Sequence, residues 1–219
     1  MSLSIVKVGG AALAGGRVDE AVLGPATRAV VVHGAGPRIT AALAGAGIPS
    51  RFVDGRRVTS DDALPYVRAA FCEENAALCC ALGPRALGLI GDELGLEADH
   101  VPELGRVGVL RPYVPPALWG ALETGRLPVI APLARGPLNV NADDAAAVLA
   151  VALGADRLVF VSDVPGVQVG RRVASLLSAD DVDSLGAHVS AGMVAKLQAA
   201  VVAAREGVEV RVGATVVTA

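Results

Sequence analysis

The side chains best suited to chemistry are two lysines, Lys7 and Lys196, because of 19 basic residues only these two are not arginine. Arginine replaces lysine easily on a solvated surface, but a wide guanidinium group does not fit where a compact ammonium group is needed. Both lysines lie near glycines, in Val6-Lys7-Val8-Gly9-Gly10 and in Gly192-Met193-Val194-Ala195-Lys196. We therefore interpret them as functional cations, with chance retention as the alternative.

Two glycine-rich turns follow predicted strands, Lys7-Val8-Gly9-Gly10 and His33-Gly34-Ala35-Gly36-Pro37. Glycines at the end of a strand let backbone N–H groups turn toward an anion. Because ligands of open α/β sheets bind outside the carboxyl ends of the strands, the two turns predict one shared crevice. The turns match neither a P-loop nor the full Gly-x-Gly-x-x-Gly spacing. His33 is better interpreted as a residue that holds its turn than as a general base.

Polar side chains also gather before a predicted helix and after another strand. Asn139, Asn141 and Asp143 alternate in sequence, so they face the same way if that segment is extended. Asn141 is suited to cap the helix that follows, and Asp144 suits its dipole. A further turn, Ser162-Asp163-Val164-Pro165-Gly166, follows a strand on the same side of the predicted crevice.

Two arginines lie in the segment Gly55-Arg56-Arg57-Val58-Thr59, just before a predicted helix. A guanidinium group in such a turn can bind a substrate carboxylate through two hydrogen bonds. The alternative is a solvated surface charge, which we favour for Arg56. Arg57 is the candidate carboxylate ligand because of the family resemblance described below.

Short β-branched runs alternate with alanine-rich helical stretches, which is typical of an α/β fold with an open, mainly parallel β-sheet sandwiched by helices. The predicted strands are Ser4–Val8, Ala29–His33, Leu87–Ile90, Leu127–Ala131, Arg157–Ser162 and Val208–Val212. The predicted helices are Arg38–Ala46, Asp61–Leu82, Ala142–Leu153 and Met193–Arg205.

Three other segments carry weaker predictions. Thr59-Ser60-Asp61-Asp62 resembles a capping box at the start of a helix that has Pro65 in its first turn. The segment from Gly105 to Pro116 fits a hairpin or lid. Pro165 to Arg172 shows no sustained period and is predicted as a loop.

The composition excludes several classes of protein. A chain of 219 residues that is 53% hydrophobic, 19% charged and has a net charge of -3 is neither disordered nor a basic nucleic-acid binder. Cys72, Cys79 and Cys80 suit neither a disulfide framework nor a zinc site, and we expect buried thiols in a reducing cytoplasm. The start of the chain has no signal-peptide pattern, and the longest apolar run, Ala145–Ala155, is too short to cross a bilayer.

Six motifs in order resemble the amino acid kinase family. They are Lys-x-Gly-Gly, His-Gly-x-Gly-Pro, Gly-x-Arg-Val-Thr, Asn-Val-Asn-Ala-Asp, Ser-Asp-Val-x-Gly and Gly-Met-x-x-Lys, between Ile5 and about Gly207. The acetylglutamate kinase branch is the most similar. The resemblance implies ATP-dependent phosphorylation of the side-chain carboxylate of N-acetyl-L-glutamate, in arginine biosynthesis, by a cytoplasmic enzyme. It also implies a three-layer αβα fold, Mg²⁺ bound with the ATP phosphates, and a homodimer.

The resemblance assigns roles to individual residues. Lys7 and Lys196 would stabilise the transition state, with Asp143 holding both ammonium groups. The acceptor and the transferred phosphoryl group would contact Ala35, Gly36, Arg57 and Asn139. The nucleotide side would comprise Gly9, Gly10, Asp163, Gly166 and Ser190. Residues 1–155 would form the lobe for acyl-amino-acid binding and dimerisation, and residues 156–219 a nucleotide lobe on the same sheet, with a shortened C-terminal part.

Some features depart from the family pattern. Ala35 stands where a glycine is usual, so its methyl group would crowd the phosphoryl group if that position needs a positive φ. Arg106 stands where histidine is more frequent. Two alternative functions stay open: a kinase for carrier-protein-linked aminoadipate or glutamate in lysine or ornithine biosynthesis, and a non-catalytic regulatory relative. A UMP- or carbamate-type kinase is disfavoured because Arg57 and Asn139 would have no evident duty there.

Overall fold

A computed structural model of the protein describes residues 2–9, 28–161, 164–170, 172–185 and 189–219. The strands, in chain order, are β1 (Leu3–Val8), β2 (Arg28–His33), β3 (Phe52–Val53), β4 (Arg56–Arg57), β5 (Ala86–Ile90), β6 (Ala98–His100), β7 (Val107–Leu110), β8 (Leu127–Ala131), β9 (Leu133–Ala134), β10 (Leu138–Val140), β11 (Arg157–Val161), β12 (Gln168–Val169), β13 (Arg172–Val173), β14 (Leu176–Leu177), β15 (Glu209–Val212) and β16 (Thr215–Val217). The helices are α1 (Gly36–Gly45), α2 (Leu64–Leu82), α3 (Gly91–Leu94), α4 (Pro116–Glu123), α5 (Ala142–Ala152), α6 (Ala179–Leu185) and α7 (Ala191–Arg205), with a 3-10 turn at Pro102–Leu104.

The centre of the fold is an eight-stranded sheet in the order β14-β16-β15-β11-β1-β2-β8-β5. Every neighbouring pair in it is parallel except β15 and β16, which form an antiparallel hairpin. All six strands predicted from the sequence lie in this sheet, with bounds that differ by one residue at most. The prediction of an α/β fold with an open, mainly parallel sheet is confirmed.

Helices cover both faces of this sheet, because its central strands are apolar on both sides. Ile5 of β1 belongs to a core cluster with Leu149 of α5 and Ala200 of α7. The next residue of β1, Val6, belongs to a second cluster with Leu78 of α2. Successive residues of a strand point to opposite faces of the sheet, so β1 packs against one helical layer through Ile5 and against the other through Val6.

A second, four-stranded sheet has the order β6-β7-β10-β9, and its strand β9 begins two residues after β8 ends. The hairpin or lid predicted from Gly105 to Pro116 is part of this sheet, since β7 pairs antiparallel with β6 and parallel with β10. The predicted loop from Pro165 to Arg172 is also corrected. It contributes β12, which pairs with β13. Strands of two exposed residues are too short to leave a period in the sequence.

Of the two helix caps predicted from the sequence, the structure confirms one. Asn141 caps α5 as predicted, its Oδ1 accepting from the backbone N–H groups of Asp143 at 2.7 Å and Asp144 at 3.1 Å. The predicted capping box before α2 is wrong, because this helix begins at Leu64 with no side-chain cap. Ser60 instead accepts from the N–H of Ala63 in a preceding turn.

The three cysteines are free thiols on α2. Cys72 and Cys79 are half-buried and Cys80 is exposed, so the expectation of buried thiols is met only in part by Cys72 and Cys79 and is wrong for Cys80. In the parts of the chain that the structure describes, no helix is long and apolar enough to cross a membrane.

Candidate active site

The carboxyl ends of β1 and β2 meet at one edge of the main sheet, as the shared-crevice prediction requires. The N–H of Gly34, just after β2, donates to the carbonyl of Val8 at 3.0 Å, so the turn after β2 is tied to the end of β1. Lys7 lies one residue before Val8 in β1. The first two glycine-turn segments are thereby brought together, as far as Gly9. Gly10 lies outside the described residues.

Lys7 and Lys196 meet on one oxygen of Asp143. Each Nζ lies 2.9 Å from Asp143 Oδ1, although the three residues come from β1, α7 and the first turn of α5. All three side chains are nearly buried, with exposed fractions of 9% for Lys7, 12% for Lys196 and 13% for Asp143. The ring of Phe160, at the end of β11, lies under the Lys196 ammonium at 5.0 Å. The structure thus gathers the two retained lysines around a single carboxylate.

The charges of this cluster shift its proton affinities. Burial by itself would raise the pKa of Asp143, but the charges of Lys7 and Lys196 and their hydrogen bonds hold that pKa below its ordinary value. For Lys196, burial and then the charge of Lys7 lower the pKa, and Asp143 opposes both. Asp143 therefore stays ionised, and the cluster carries a net positive charge while both lysines are protonated.

A small pocket of about 150 Å³ opens beside this cluster. Its lining brings together the predicted residues Ala35, Gly36, Arg57, Asn139 and Asp143 with apolar side chains from Ile39, Phe52, Phe71, Val107 and Val140. The pocket has apolar walls and a few polar groups from separate elements, which is the usual character of a small-molecule site.

Arg57 is a buried cation at this pocket. Its guanidinium donates to Thr40 Oγ1 at 2.9 Å, to the carbonyl of Gly36 at 3.2 Å and to Ser50 Oγ, and it stacks on the Phe52 ring at 4.5 Å. Burial lowers its pKa. Among the described residues it forms no ion pair with a carboxylate. A buried guanidinium held only by neutral groups can bind an external carboxylate without losing an existing partner.

Asn139 is held by a residue that the sequence analysis did not select. Its Nδ2 donates to Thr59 Oγ1 at 3.0 Å, and Thr59 Oγ1 donates to the carbonyl of Arg57 at 2.9 Å. Thr59 is fully buried and links the two predicted acceptor ligands. It was placed in the Gly-x-Arg-Val-Thr motif, but only the fold could show that its hydroxyl faces Asn139.

The prediction that Arg56 is a solvated surface charge is wrong. Its Nε and Nη2 donate to Asp144 Oδ2 at 3.1 and 2.8 Å, and both side chains are half-buried. Burial raises the pKa of Asp144, Arg56 opposes that shift, and the nearby charge of Asp143 adds to it. Nothing in the local sequence pattern indicates this pair, because 88 residues separate its members.

The backbone at Ala35 does not have the positive φ that would make its methyl group crowd the phosphoryl group. Ala35 has φ −132° and ψ 24°, which an alanine adopts without left-handed strain, and it precedes the first residue of α1. Its side chain is buried in a cluster with Ile39 and Phe71. In the described part of the chain no side chain caps the start of α1, where Pro37 has no N–H, so the N–H of Gly36 is left without a side-chain acceptor there.

His33 holds its turn, as predicted. Asn75 Nδ2 lies 3.0 Å from His33 Nε2 and also donates to the carbonyl of Val129 at 2.8 Å. Because an amide NH₂ group can only donate, Nε2 must accept and the ring proton lies on Nδ1, which is 3.4 Å from the carbonyl of Gly34. Burial lowers the pKa of His33 to about 4, so the ring is neutral near pH 7. Its role is structural.

The structure gathers the predicted nucleotide-binding residues less closely than the predicted acceptor-binding residues. Ser190 is the N-cap of α7, where its Oγ accepts from the N–H of Met193 at 3.4 Å. Gly166 forms an isolated bridge with Gly213, and a Cβ atom on it would lie 2.6 Å from Val173 Cγ1. Packing alone explains that glycine. Asp163 lies outside the described residues.

Arg106 lies at the edge of the acceptor region. Its side chain pairs with Asp61 at 2.6 Å, and its backbone bridges two site elements. The N–H of Arg106 donates to the carbonyl of Thr59 at 2.6 Å, and its own carbonyl accepts from the N–H of Asn139 at 2.8 Å. Position 106 thus supports the acceptor pocket through its backbone, whichever side chain it carries.

Comparison with known proteins gives similar sequences over nearly the whole chain. The model of the amino acid kinase family matches residues 2–214. An acetylglutamate kinase from Rubrobacter xylanophilus is 40% identical over 97% of this chain and 88% of its own length. An acetylglutamate kinase from Chloroflexus aggregans is 41% identical over 81% of this chain and 76% of its own length.

Solved structures give a consistent result for the fold. The smu.665 protein from Streptococcus mutans UA159 superimposes with a TM-score of 0.87 and 25% identity, over 99% of this chain and 98% of that chain. N-acetylglutamate synthase from Neisseria gonorrhoeae, solved with coenzyme A and N-acetyl-glutamate, gives a TM-score of 0.78 and 25% identity. The superposition covers 96% of this chain and 54% of that synthase.

Proposed function

The chain belongs to the amino acid kinase family, and from that premise we propose that it transfers the γ-phosphoryl group of ATP to the side-chain carboxylate of N-acetyl-L-glutamate. The product would be N-acetyl-L-glutamyl 5-phosphate, and the step would belong to arginine biosynthesis. The names of the relatives that are about 40% identical support this acceptor.

One observation carries the proposal: Lys7 and Lys196 share a single oxygen of Asp143 beside a pocket that contains Arg57. A carboxylate acceptor and a triphosphate are both anions, so the main obstacle to their reaction is repulsion. Two fixed ammonium groups, one from β1 and one from α7, reduce that repulsion where the anions meet. Asp143 keeps the lysines oriented without itself approaching the acceptor as a free charge.

The reaction needs no general base. A side-chain carboxylate has an ordinary pKa of about 4.3, so it is ionised at neutral pH and attacks as it is. One of its oxygens bonds to the γ-phosphorus, and the bond from that phosphorus to the bridging oxygen of ADP breaks. The electron pair of that bond stays on ADP. Lys7 and Lys196 would stabilise the charge on the transferred group and on the leaving oxygen.

The acceptor would lie in the pocket of about 150 Å³. Arg57 would bind the acceptor's other carboxylate, and Asn139, fixed by Thr59, would bind a polar group of the acyl amide. Backbone N–H groups at Ala35 and Gly36 would face the transferred phosphoryl group, since the start of a helix favours an anion. The apolar walls from Phe71 and its neighbours would exclude water from the acyl phosphate.

ATP would lie across the second half of the sheet, near Gly9, Gly166 and the start of α7 at Ser190, and Gly10 and Asp163 stay predicted nucleotide contacts. Mg²⁺ would neutralise phosphate charge. The described residues contain no group of three or more histidine, cysteine or acidic side chains placed to hold a metal. The donor set therefore suits an ion that enters with the nucleotide and is bound mainly by phosphate oxygens and water.

The two proposed lobes meet along β1 and β11. Residues 1–155 supply the acceptor pocket, and residues 156–219 supply Phe160, the Gly166 turn and α7.

A homodimer through the first lobe is part of the proposal. Strand β5 forms one end of the main sheet and pairs only with β8 among the described strands.

The test is release of ADP from ATP and Mg²⁺ by the purified protein, measured with a panel of acceptors. N-acetyl-L-glutamate should support turnover at least about a hundredfold faster than free L-glutamate, N-acetyl-aminoadipate or no acceptor. Preference for N-acetyl-aminoadipate would favour the aminoadipate branch. Absence of acceptor-dependent release would contradict the proposal.

A further inference from the structure

The β3–β4 hairpin carries Arg57 but cannot fix its own position. It has two residues in each strand, and isolated two-stranded hairpins are marginal in water. Its turn is Asp54-Gly55, with φ values of 47° and 75°, as a tight type I′ turn requires. The turn sets the shape of the hairpin. Contacts with other elements must therefore set where the hairpin lies.

Besides the hydrogen bonds of Arg57 to Thr40 and Gly36 of α1, these contacts come from α5 and α7, where they are concentrated at the tip. The carbonyl of Gly55 accepts from Asn141 Nδ2 at 3.0 Å. A Cβ atom on Gly55 would lie 2.6 Å from Ala195 Cβ, so the tip lies directly on α7. Next to this contact, Phe52 and Asp54 line a cavity of about 760 Å³ that α7 bounds on the other side. Continuous packing does not hold that side of the hairpin.

The ion pair of Arg56 with Asp144 is a contact between opposite charges. Two guanidinium nitrogens donate to one carboxylate oxygen, at 2.8 and 3.1 Å, and both side chains are half-buried. Arg56 and Arg57 are neighbours in a strand, so their side chains point to opposite sides of it. Fixing Arg56 on α5 therefore aims Arg57 at Thr40 and Gly36, across the pocket.

We propose that Arg56 and Asp144 are positioning residues for the acceptor: their ion pair holds the β3–β4 hairpin on the first turn of α5, and so sets the place of Arg57 relative to Asp143 and its lysines. Asp143 and Asp144 are consecutive residues of one helical turn. One end of that turn thus holds the lysines, and the other holds the acceptor-binding hairpin. The substrate in this inference is taken from the proposed function, whereas the positioning of the β3–β4 hairpin does not depend on that function.

The kinetic test uses Arg56→Leu, Asp144→Asn, the double variant and Arg56→Lys. Each neutral single variant should raise the KM for N-acetyl-L-glutamate about tenfold, with kcat and the KM for ATP changed less than about threefold. The double variant should cost no more than either single variant, because one interaction is lost only once. Arg56→Lys should recover most of the wild-type KM.

Arg157→Leu is the matched control, because it removes an ion pair far from the hairpin in sequence, from Arg157 Nε to Glu209 at 3.2 Å, at the amino end of β11. It should leave both KM values unchanged. Additive effects of Arg56→Leu and Asp144→Asn, or an unchanged KM for the acceptor in both, would overturn the inference. Thermal melts identify any variant that fails to fold, and Arg56→Lys then still tests the pair.

Hydrogen exchange of the backbone segment 50–58, measured without ligands, separates this inference from the proposed function. In Arg56→Leu the segment should exchange about tenfold faster than in the wild type, whereas Arg157→Leu should not change it. If the wild-type protein phosphorylates none of the acceptors, the proposed function fails and exchange alone decides the positioning role. Unchanged exchange in Arg56→Leu overturns that role in either case.

Discussion

At the scale of single residues, the site depends on two lysines, each of which has a compact ammonium group. Lys7 and Lys196 each donate to Asp143 Oδ1 at 2.9 Å, and both side chains are nearly buried. An ammonium group has three donors, so each lysine keeps donors for phosphate oxygens after pairing with Asp143. A guanidinium group is planar and larger, and two of them do not fit around one oxygen in this space.

Replacement of Lys7 or Lys196 by arginine should therefore lower kcat by about 10²-fold or more, with a smaller change in either KM. The charge is kept, but its position relative to the transferred phosphoryl group is lost. Steady-state kinetics of the two variants check this, with Arg205→Lys on the exposed end of α7 as a control that should stay fully active. Near-normal kcat in either lysine variant would show that their retention is an accident of composition.

At the scale of secondary-structure elements, the sequence predicted the strands of the main sheet better than it predicted the acceptor pocket. The central strands are apolar runs bounded by glycine, proline or aspartate, so their local pattern suffices. The pocket is built by short pieces such as β4, β7 and β10, whose pairing depends on residues far apart in the chain. The buried pair of Arg56 and Asp144 could not be predicted for the same reason.

One such long-range junction joins Gly105 to Thr59. The two residues form an isolated parallel bridge, Gly105 has φ +76°, and a Cβ atom on it would collide with the carbonyl oxygen of Thr59. Gly105→Ala should shift Thr59 and with it Asn139, and should raise the KM for N-acetyl-L-glutamate about tenfold. Gly125→Ala is the control, since Gly125 has φ +71° but open space around it.

Both alanine variants should lose about 1–2 kcal/mol of stability from the left-handed backbone. Only the variant at Gly105 should change the KM. Equal KM values in the two variants would show that Thr59 does not position Asn139 for the acceptor.

At the scale of the whole molecule, one sheet carries both halves of the site, so the stability of its centre matters for all of it. His33 ends β2 in the middle of this sheet and is fully buried. Burial lowers its pKa to about 4, from an ordinary value of 6.5, against the opposing effects of its hydrogen bond to Gly34 and of the charge of Glu74. Protonation would also place a donor on Nε2, opposite the NH₂ group of Asn75.

This predicts a specific acid sensitivity. Because the folded-state pKa lies below the unfolded value, the contribution of neutral His33 is present above pH 6.5 and is lost as the pH falls toward 4. The loss should reach about 3 kcal/mol near pH 4. Urea unfolding of the wild type and of His33→Gln at several pH values measures it. Identical slopes between pH 6.5 and 4 for the two proteins would contradict the assignment.

Formation of an acyl phosphate tests the proposed reaction most directly. Incubation of the protein with MgATP, N-acetyl-L-glutamate and hydroxylamine should yield the hydroxamate of the side-chain carboxyl group in the same amount as ADP, since hydroxylamine captures acyl phosphates. Lys7→Arg and Lys196→Arg should reduce both products together by about 10²-fold. Release of ADP without hydroxamate, or hydroxamate formation that is unchanged in the lysine variants, would show that the cluster of Lys7, Lys196 and Asp143 does not transfer phosphate to a carboxylate.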